Sequence, residues 1–260
     1  MVKSLIKPFL HHKYLFYQLS QREIKARYKQ SFIGYAWILF NPLSQVLVYT
    51  FVFSIVFKFS TVDIPYPIFL LAALLPWTFT LNSISTATQS LVANVFLLKK
   101  VAFPREIIPY SVIVSKFVDL FFSSLVFLLL LLIFKIFPTL SFLYLIPVFL
   151  IHLFLTVALS LLLAAFNLFY RDIQYLANLL LTLWMYMSPI AYPMSMVPEK
   201  LLVWYKLNPL VGIVEGYRSA IFNYPFETNL ILWSAFFSFS LFVLSFLIFK
   251  KLEKYFTDIV

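Results

Sequence analysis

The chain has 260 residues, of which 63% are hydrophobic and only 12% charged, with a formal net charge of +10. So few charges over such a length exclude a soluble domain and leave an integral membrane protein. Three glycines (Gly34, Gly212 and Gly216) cannot build the G-x-x-x-x-G-K-[ST] phosphate loop, and the absence of cysteine excludes disulfide and thiolate sites.

Residues 1–31 read as a cytoplasmic, interfacial segment. Their first apolar run is too short for a cleavable signal peptide and is interrupted by His11, His12 and Lys13. At about 100° per residue, Tyr17, Ile24 and Tyr28 share one helical face. Arg22, Lys25 and Lys29 share a neighbouring face, with Arg27 on the other flank. An apolar stripe edged by cations predicts a helix lying in a membrane surface that carries anionic lipid. No charge follows between Phe32 and Lys58, so this helix is expected to run unbroken into a first span at 32–57, with its cations as a collar.

The later spans are expected at 68–91, 107–134, 142–169, 175–192 and 230–249, each long enough or nearly so for about 30 Å of hydrocarbon. The whole chain, 1–260, then forms one all-α transmembrane domain. Residues 95–105, between the second and third spans, read as a short amphipathic helix ending near Pro104. The connection 193–229 reads as two short helices. The second has Asn208 as N-cap and Pro209 at its first position. Glu215 and Arg218 pair at i,i+3, and Gly212 and Gly216 allow close approach of another helix. This helix is too short and too charged to span, so it is expected to dip into the outer leaflet or lie on it. Fourteen Lys and Arg fall on the side of the N-terminus and five on the other, which predicts cytoplasmic termini. The basic balance therefore reads as topology, not as nucleic-acid binding.

Polar residues recur at helical spacing inside the spans. Asn41, Gln45 and Tyr49 do so in the first, Asn82 with Thr78, Thr86 and Gln89 in the second, and Asn178, Thr182 and Tyr186 in the fifth. An unpaired amide in hydrocarbon costs roughly 2–7 kcal/mol, so these side chains face protein or water. Helix–helix bonding accounts for some of them. A hydrated path accounts for the amides and rings together, and such a lining suits a sugar. Its candidates are Tyr35, Trp37, Asn41, Gln45, Tyr49, Asn82, Asn178, Thr182, Trp184 and Tyr186. An interfacial aromatic belt is the rival explanation for Tyr35 and Trp37. Lys116 and Asp119, three apart in the third span, read as a structural ion pair, and His152 as a hydrogen-bonded structural residue. No histidine has metal-ligand spacing. A membrane glycosyl- or phosphotransferase would need grouped carboxylates, whereas Glu23, Glu106 and Asp172 are scattered beside basic neighbours.

Four stretches, REIKARYKQSFIGYAWILFNPL, LLKKVAFPREIIP, LFYRDIQ and NPLVGIVEGYR, resemble, in that order, ABC-2 type permeases that export polysaccharides. The likeness is to the membrane subunits of O-antigen exporters, with teichoic-acid permeases close behind. The resemblance implies an ABC-2 (type V) exporter fold: six transmembrane helices, an N-terminal interfacial helix and two short outer gate helices in a bacterial inner membrane. It implies a homodimer paired with two copies of a separate ATPase subunit, which would hold ATP and Mg; this chain would carry no cofactor or metal. Docking of that subunit would fall to the 95–105 coupling helix through Val95, Phe96, Leu97, Lys99, Lys100, Phe103 and Arg105. Arg22, Lys25, Arg27 and Lys29 would lie near the pyrophosphate of a lipid-linked glycan. The glycan channel would run between protomers, walled by the first and fifth spans. Asn208, Pro209, Glu215 and Arg218 would belong to the outer gate. Capsule or teichoic-acid export, or an ABC-2 exporter of a drug or simple lipid, are the alternatives.

Overall fold

The computed structural model describes residues 12–28, 34–52 and 64–259, and regular structure among them is helical. Helix α1 spans Lys13–Tyr28. Gly34 then takes φ +58°, a left-handed conformation that glycine tolerates and a right-handed helix does not. A 3-10 turn at Gly34–Ala36 leads into α2, Trp37–Tyr49. The expected unbroken helix is thus two helices, and the part of 32–57 beyond residue 52 lies outside the described residues. The side of α1 that packs on protein is distinct from the membrane-facing stripe expected at Tyr17. Leu19 and Ser20 are buried and Tyr17 is exposed, because α1 packs against the third long segment and Leu19 joins a cluster with Phe103, Ile107 and Ile108.

Helix α3, Tyr66–Ala93, starts with Pro67 in its first turn, where the missing N–H is harmless. It is the central element, buried along most of its length. Helix α4, Val95–Lys100, is shorter than the expected 95–105, because Val101 goes extended (φ −127°, ψ 132°) three residues before Pro104. Helix α5, Ile107–Ile133, ends in a left-handed cap at Lys135 (φ 60°). The Ile136 amide donates to Leu131 O at 2.8 Å and the Lys135 amide to Leu132 O at 3.0 Å, a Schellman closure. Helix α6 covers Leu145–Phe169, after a 3-10 turn at Leu140–Tyr144. Helix α7, Ile173–Tyr186, stops short of the expected 175–192, since Pro189 disfavours helical backbone before it. Helices α8 (Glu199–Lys206), α9 (Pro209–Phe222), α10 (Thr228–Leu252) and α11 (Phe256–Ile259) complete the chain. Among the described residues, the helical segments Tyr66–Ala93, Ile107–Ile133, Leu140–Phe169 and Thr228–Tyr255 are long and apolar enough to cross a membrane.

Helix α3 packs on α5 and α6, α6 on α10, and α9 against α3, α6 and α10. The fit of α9 depends on its glycines. A Cβ on Gly212 would lie 2.6 Å from Leu230 O and against Ser234 Oγ, and one on Gly216 would meet Val148 at 3.1 Å. Nearly all of α9 is buried, so it is wedged into the bundle and does not lie on a leaflet surface. His152 of α6 pins this core. One ring nitrogen bonds Thr80 Oγ1 on α3, and the other lies 3.1 Å from the Tyr217 hydroxyl on α9. On the α10 face, Ser234, Ser238 and Ser245 are buried with no hydrogen-bond partner for their hydroxyls. They act there as small residues that let helices approach, not as bonding groups.

Candidate functional site

One face of α3 and α7 stays open. Asn82 and Gln89 on α3 and Tyr175, Asn178, Thr182 and Tyr186 on α7 are exposed, although α3 is otherwise buried along most of its length. Spacings of three, four or seven residues put these positions on one side of each helix. The two helices are joined across this face by Ser85, whose hydroxyl donates to Asn178 Oδ1 at 2.7 Å, while Thr182 Oγ1 donates to Asn178 O at 2.9 Å. Asn82 and Asn178 therefore lie on one polar strip along an otherwise apolar bundle.

Helix α2 borders this strip. Gln45 and Tyr49 are half-buried, and the Tyr49 hydroxyl points at Met185 Sδ of α7 at 3.9 Å. Trp37 is exposed, edge-on to Phe40 at 6.3 Å. Tyr35 and Asn41 are placed by backbone alone. Trp184 does not line the strip. It is half-buried, edge-on to Trp77 at 6.2 Å, and its Nε1 donates to Asn208 Oδ1 at 2.9 Å. Trp184 sits two residues from Thr182, about 200° round the helix, so it faces the opposite side.

At the other end, α4 presents Phe96, 79% exposed, with Lys99 and Lys100 exposed beside it and Lys100 Nζ 5.9 Å from the Phe96 ring. Val95, Leu97 and Arg105 are half-buried. Phe103, expected on the same outward surface, is instead buried beneath it with Leu98, because the extended chain after Lys100 turns it into the core. Arg22 and Lys25 on α1 are exposed, and Arg22 reaches the residue that precedes α4. Arg22 is not a free cation: its Nη2 donates to Asn94 Oδ1 at 2.6 Å and lies 3.0 Å from Glu23. Asn94 in turn donates to Ser90 O, which fixes α1 against the α3–α4 junction. Arg27 is placed by backbone alone, and Lys29 lies outside the described residues.

The segment from α7 to α9 is held by side chains. Asn208 caps α9 by accepting the Leu210 amide at 3.0 Å, and its Nδ2 donates to Ser188 Oγ at 2.9 Å and Met187 O at 3.2 Å. Pro209 follows at the first helical position, as the sequence predicts. Arg218 is 1% exposed. It donates to Glu215 Oε1 at 2.9 Å and to Ile190 O at 3.0 Å, and its guanidinium stacks 3.7 Å over the Phe69 ring. Burial lowers its proton affinity and Glu215 opposes that shift. The bonds to Ile190 and Phe69 had no signal in the sequence, being formed between distant segments. The pair with Glu215 did, through its i,i+3 spacing.

A helical multi-pass bundle with an exposed polar face, an outward apolar-basic helix at one end and a buried basic wedge at the other is the architecture of a membrane permease. The chain belongs to the ABC-2 type transporter family, whose pattern matches residues 14–222. It is 32% identical over 222 residues, 85% of each chain, to the O-antigen export system permease protein RfbA of Myxococcus xanthus. It is 31% identical over 248 residues, 93% of each chain, to the protein of that name from Klebsiella pneumoniae. The polysialic acid transport protein KpsM of Escherichia coli is 26% identical over 206 residues, 77% of this chain and 78% of its own.

Proposed function

We propose that this chain is the permease subunit of an ATP-driven exporter that moves a lipid-linked polysaccharide of O-antigen type across a bacterial inner membrane to its outer side. The observation that carries this is the open polar strip of Asn82, Gln89, Asn178 and Thr182 on helices that are otherwise apolar. Amides there are costly against lipid. They are satisfied if two copies of the chain face each other across a wet lumen, with α2 and α7 as walls. Amide and hydroxyl groups with Tyr186 and Trp37 nearby bond sugar hydroxyls and stack on sugar faces. The names of the RfbA relatives support an O-antigen substrate, and the likeness to KpsM favours capsule-type polysaccharide as the second reading.

In this reading the chain crosses the membrane six times, with α2 and α7 as first and fifth crossings and both termini cytoplasmic. ATP and Mg are bound by a separate subunit that docks on Phe96, Lys99 and Lys100, and this chain catalyses no covalent step. Arg22, Lys25, Arg27 and Lys29 attract the substrate pyrophosphate through charge-assisted bonds. Helices α8 and α9, with Asn208, Pro209, Glu215 and Arg218, form the outer gate.

Because the chain has no cysteine, single cysteines test the lumen directly. Asn82→Cys and Asn178→Cys are expected to react with a membrane-impermeant thiol reagent, and Leu129→Cys, on the exposed apolar face of α5, is not. Asn82→Leu with Asn178→Leu is expected to cut surface glycan at unchanged protein level. Unreactive cysteines at 82 and 178 in every nucleotide state, together with normal glycan export by the Leu variants, would remove the proposed path.

A further inference from the structure

Three charged side chains meet where α4 leads into α5. Glu106, the residue before α5, is 3% exposed, and its Oε2 accepts from Lys250 Nζ of α10 at 2.7 Å. Lys250 also donates to Glu253 Oε2 at 2.9 Å. The other Glu253 oxygen accepts the Arg105 backbone amide at 2.8 Å. Glu106 makes no side-chain cap for α5. A carboxylate from the far end of the chain thus satisfies a donor at the head of that helix, where the helix dipole favours negative charge.

The apolar layer beneath repeats the connection. Phe256 of α11 is fully buried, edge-on to Phe249 of α10 at 5.4 Å and 6.1 Å from Phe169 at the end of α6. Leu98 and Phe103, the inner side of the α4 segment, lie in the same cluster, and α11 packs on both α4 and α6. The outer side of α4 carries Phe96, Lys99 and Lys100. A buried carboxylate parted from its cation is strongly disfavoured, so Glu106 and Lys250 move together.

We infer that Glu106, Lys250 and Glu253, with Phe256 beneath them, form a joint that passes movement of the α4 docking segment to α10, in parallel with the covalent path into α3 and α5. The three charged groups are positioning residues. This inference rests on the reading that an ATPase subunit docks on α4.

The test uses the full permease with its ATPase subunit. The variants are Lys250→Met, Glu106→Gln, the double variant, Glu253→Gln and Lys250→Arg. Surface glycan in cells is divided by the ATP hydrolysis rate of complex purified from the same cells into nanodiscs. With Lys250→Met or Glu106→Gln, complex and hydrolysis are expected to persist while glycan per ATP falls about fivefold or more, the low end of coupling between linked sites. The double variant is expected to be no worse than either single one, as members of one network behave. Lys250→Arg, which keeps both carboxylate bonds, is expected to restore the ratio. If Lys250→Met destroys the fold, the milder Glu253→Gln is expected to lower the ratio in the same direction. An unchanged ratio in the Glu106, Lys250 and Glu253 variants overturns the joint, as does a parallel fall of assembly and export in the milder Glu253→Gln variant. Phe96→Glu separates the two readings: a complex that still assembles with it defeats docking on α4 and the joint together, whereas lost assembly with an unchanged ratio in the Lys250 variants defeats the joint alone.

Discussion

Gly212 and Gly216 lie one helical turn apart on α9 and look equivalent in sequence, yet alanine at the two positions is expected to have opposite consequences. At Gly212 the added Cβ would sit 2.6 Å from Leu230 O and 3.0 Å from Leu230 C. An ordinary carbon–oxygen contact needs about 3.3 Å or more, and a backbone carbonyl cannot rotate away. Helices α9 and α10 must therefore part. Overpacking of this kind costs about 1–3 kcal/mol, and backbone against backbone belongs at the upper end. Alanine regains about 1 kcal/mol of helix propensity over glycine, which leaves Gly212→Ala about 2 kcal/mol less stable. At Gly216 the neighbours are the Val148 methyls at 3.1 and 3.3 Å. A side chain gives by a few tenths of an ångström, so the propensity gain offsets the crowding and Gly216→Ala should be neutral or slightly stabilised. For a chain of this size about 2–4 °C of melting temperature corresponds to each kcal/mol. The expected gap between the two variants is therefore about 4–8 °C. Apparent melting of the detergent-solubilised permease, followed by fluorescence-detected size exclusion at one fixed heating protocol, measures it. A Gly212→Ala variant as stable as Gly216→Ala would refute the helix contact as described.

Three further outcomes follow from particular contacts. Asn208→Ala removes the α9 cap and strands the Trp184 indole N–H; a loss of about 1–2 kcal/mol is expected in the same melting assay, with Asn208→Asp falling between it and the parent, because its oxygen still accepts from Leu210 and Trp184 while the donor to Met187 O and Ser188 is lost. His152→Leu leaves the buried Tyr217 hydroxyl without its His152 partner at a cost of about 1–3 kcal/mol, while His152→Leu combined with Tyr217→Phe recovers much of that loss. On α4 the two faces should separate cleanly. Phe96→Glu abolishes co-purification of the ATPase subunit without lowering the melting temperature, and Leu98→Ala lowers stability by about 2–5 kcal/mol through the cavity it leaves.

What the sequence made legible was what is local along the chain. The long segments of α3, α5, α6 and α10 followed from uninterrupted apolar runs. The Asn208–Pro209 start of α9 and the Glu215–Arg218 pair followed from spacings of one and three residues. Exposure of Asn82, Asn178 and Thr182 followed the helical period of amides that have no place in lipid. What was not legible depends on partners far away in sequence. Glu106 and Lys250 are 144 positions apart, and nothing near either residue announces the pair. The protein-packed side of α1 is chosen by α5 and the Phe103 cluster, and nothing in the periodicity of α1 alone announces it. Trp184 was misassigned for a different reason. It shares a helix with Asn178 but not a face, and applying the 100° step residue by residue would have separated them.

If α7 is the fifth crossing, as proposed, its short length is made good by the contacts that follow it. Its 14 residues rise about 21 Å, against about 30 Å of hydrocarbon. Irregular backbone at membrane depth survives only where protein satisfies its polar groups. The residues after α7 meet that condition: Ser188, Pro189 and Ile190 are buried. The carbonyl of Met187 accepts from Asn208 Nδ2, that of Ile190 from Arg218, and that of Ala191 from the Tyr66 hydroxyl at 2.9 Å. This accounts for a cation so deeply buried in α9. Arg218 supplies the donors that an interrupted helix lacks, while Glu215 and the Phe69 ring balance its charge. The same bonds restrict how the proposed gate can open. Swinging α9 outward alone would strip the carbonyls of Met187 and Ile190 and leave a buried guanidinium unpaired. Movement of α9 therefore carries the 187–191 stretch and the end of α7 with it, and, in the proposed reading, the face bearing Asn178 and Thr182 shifts whenever α9 does.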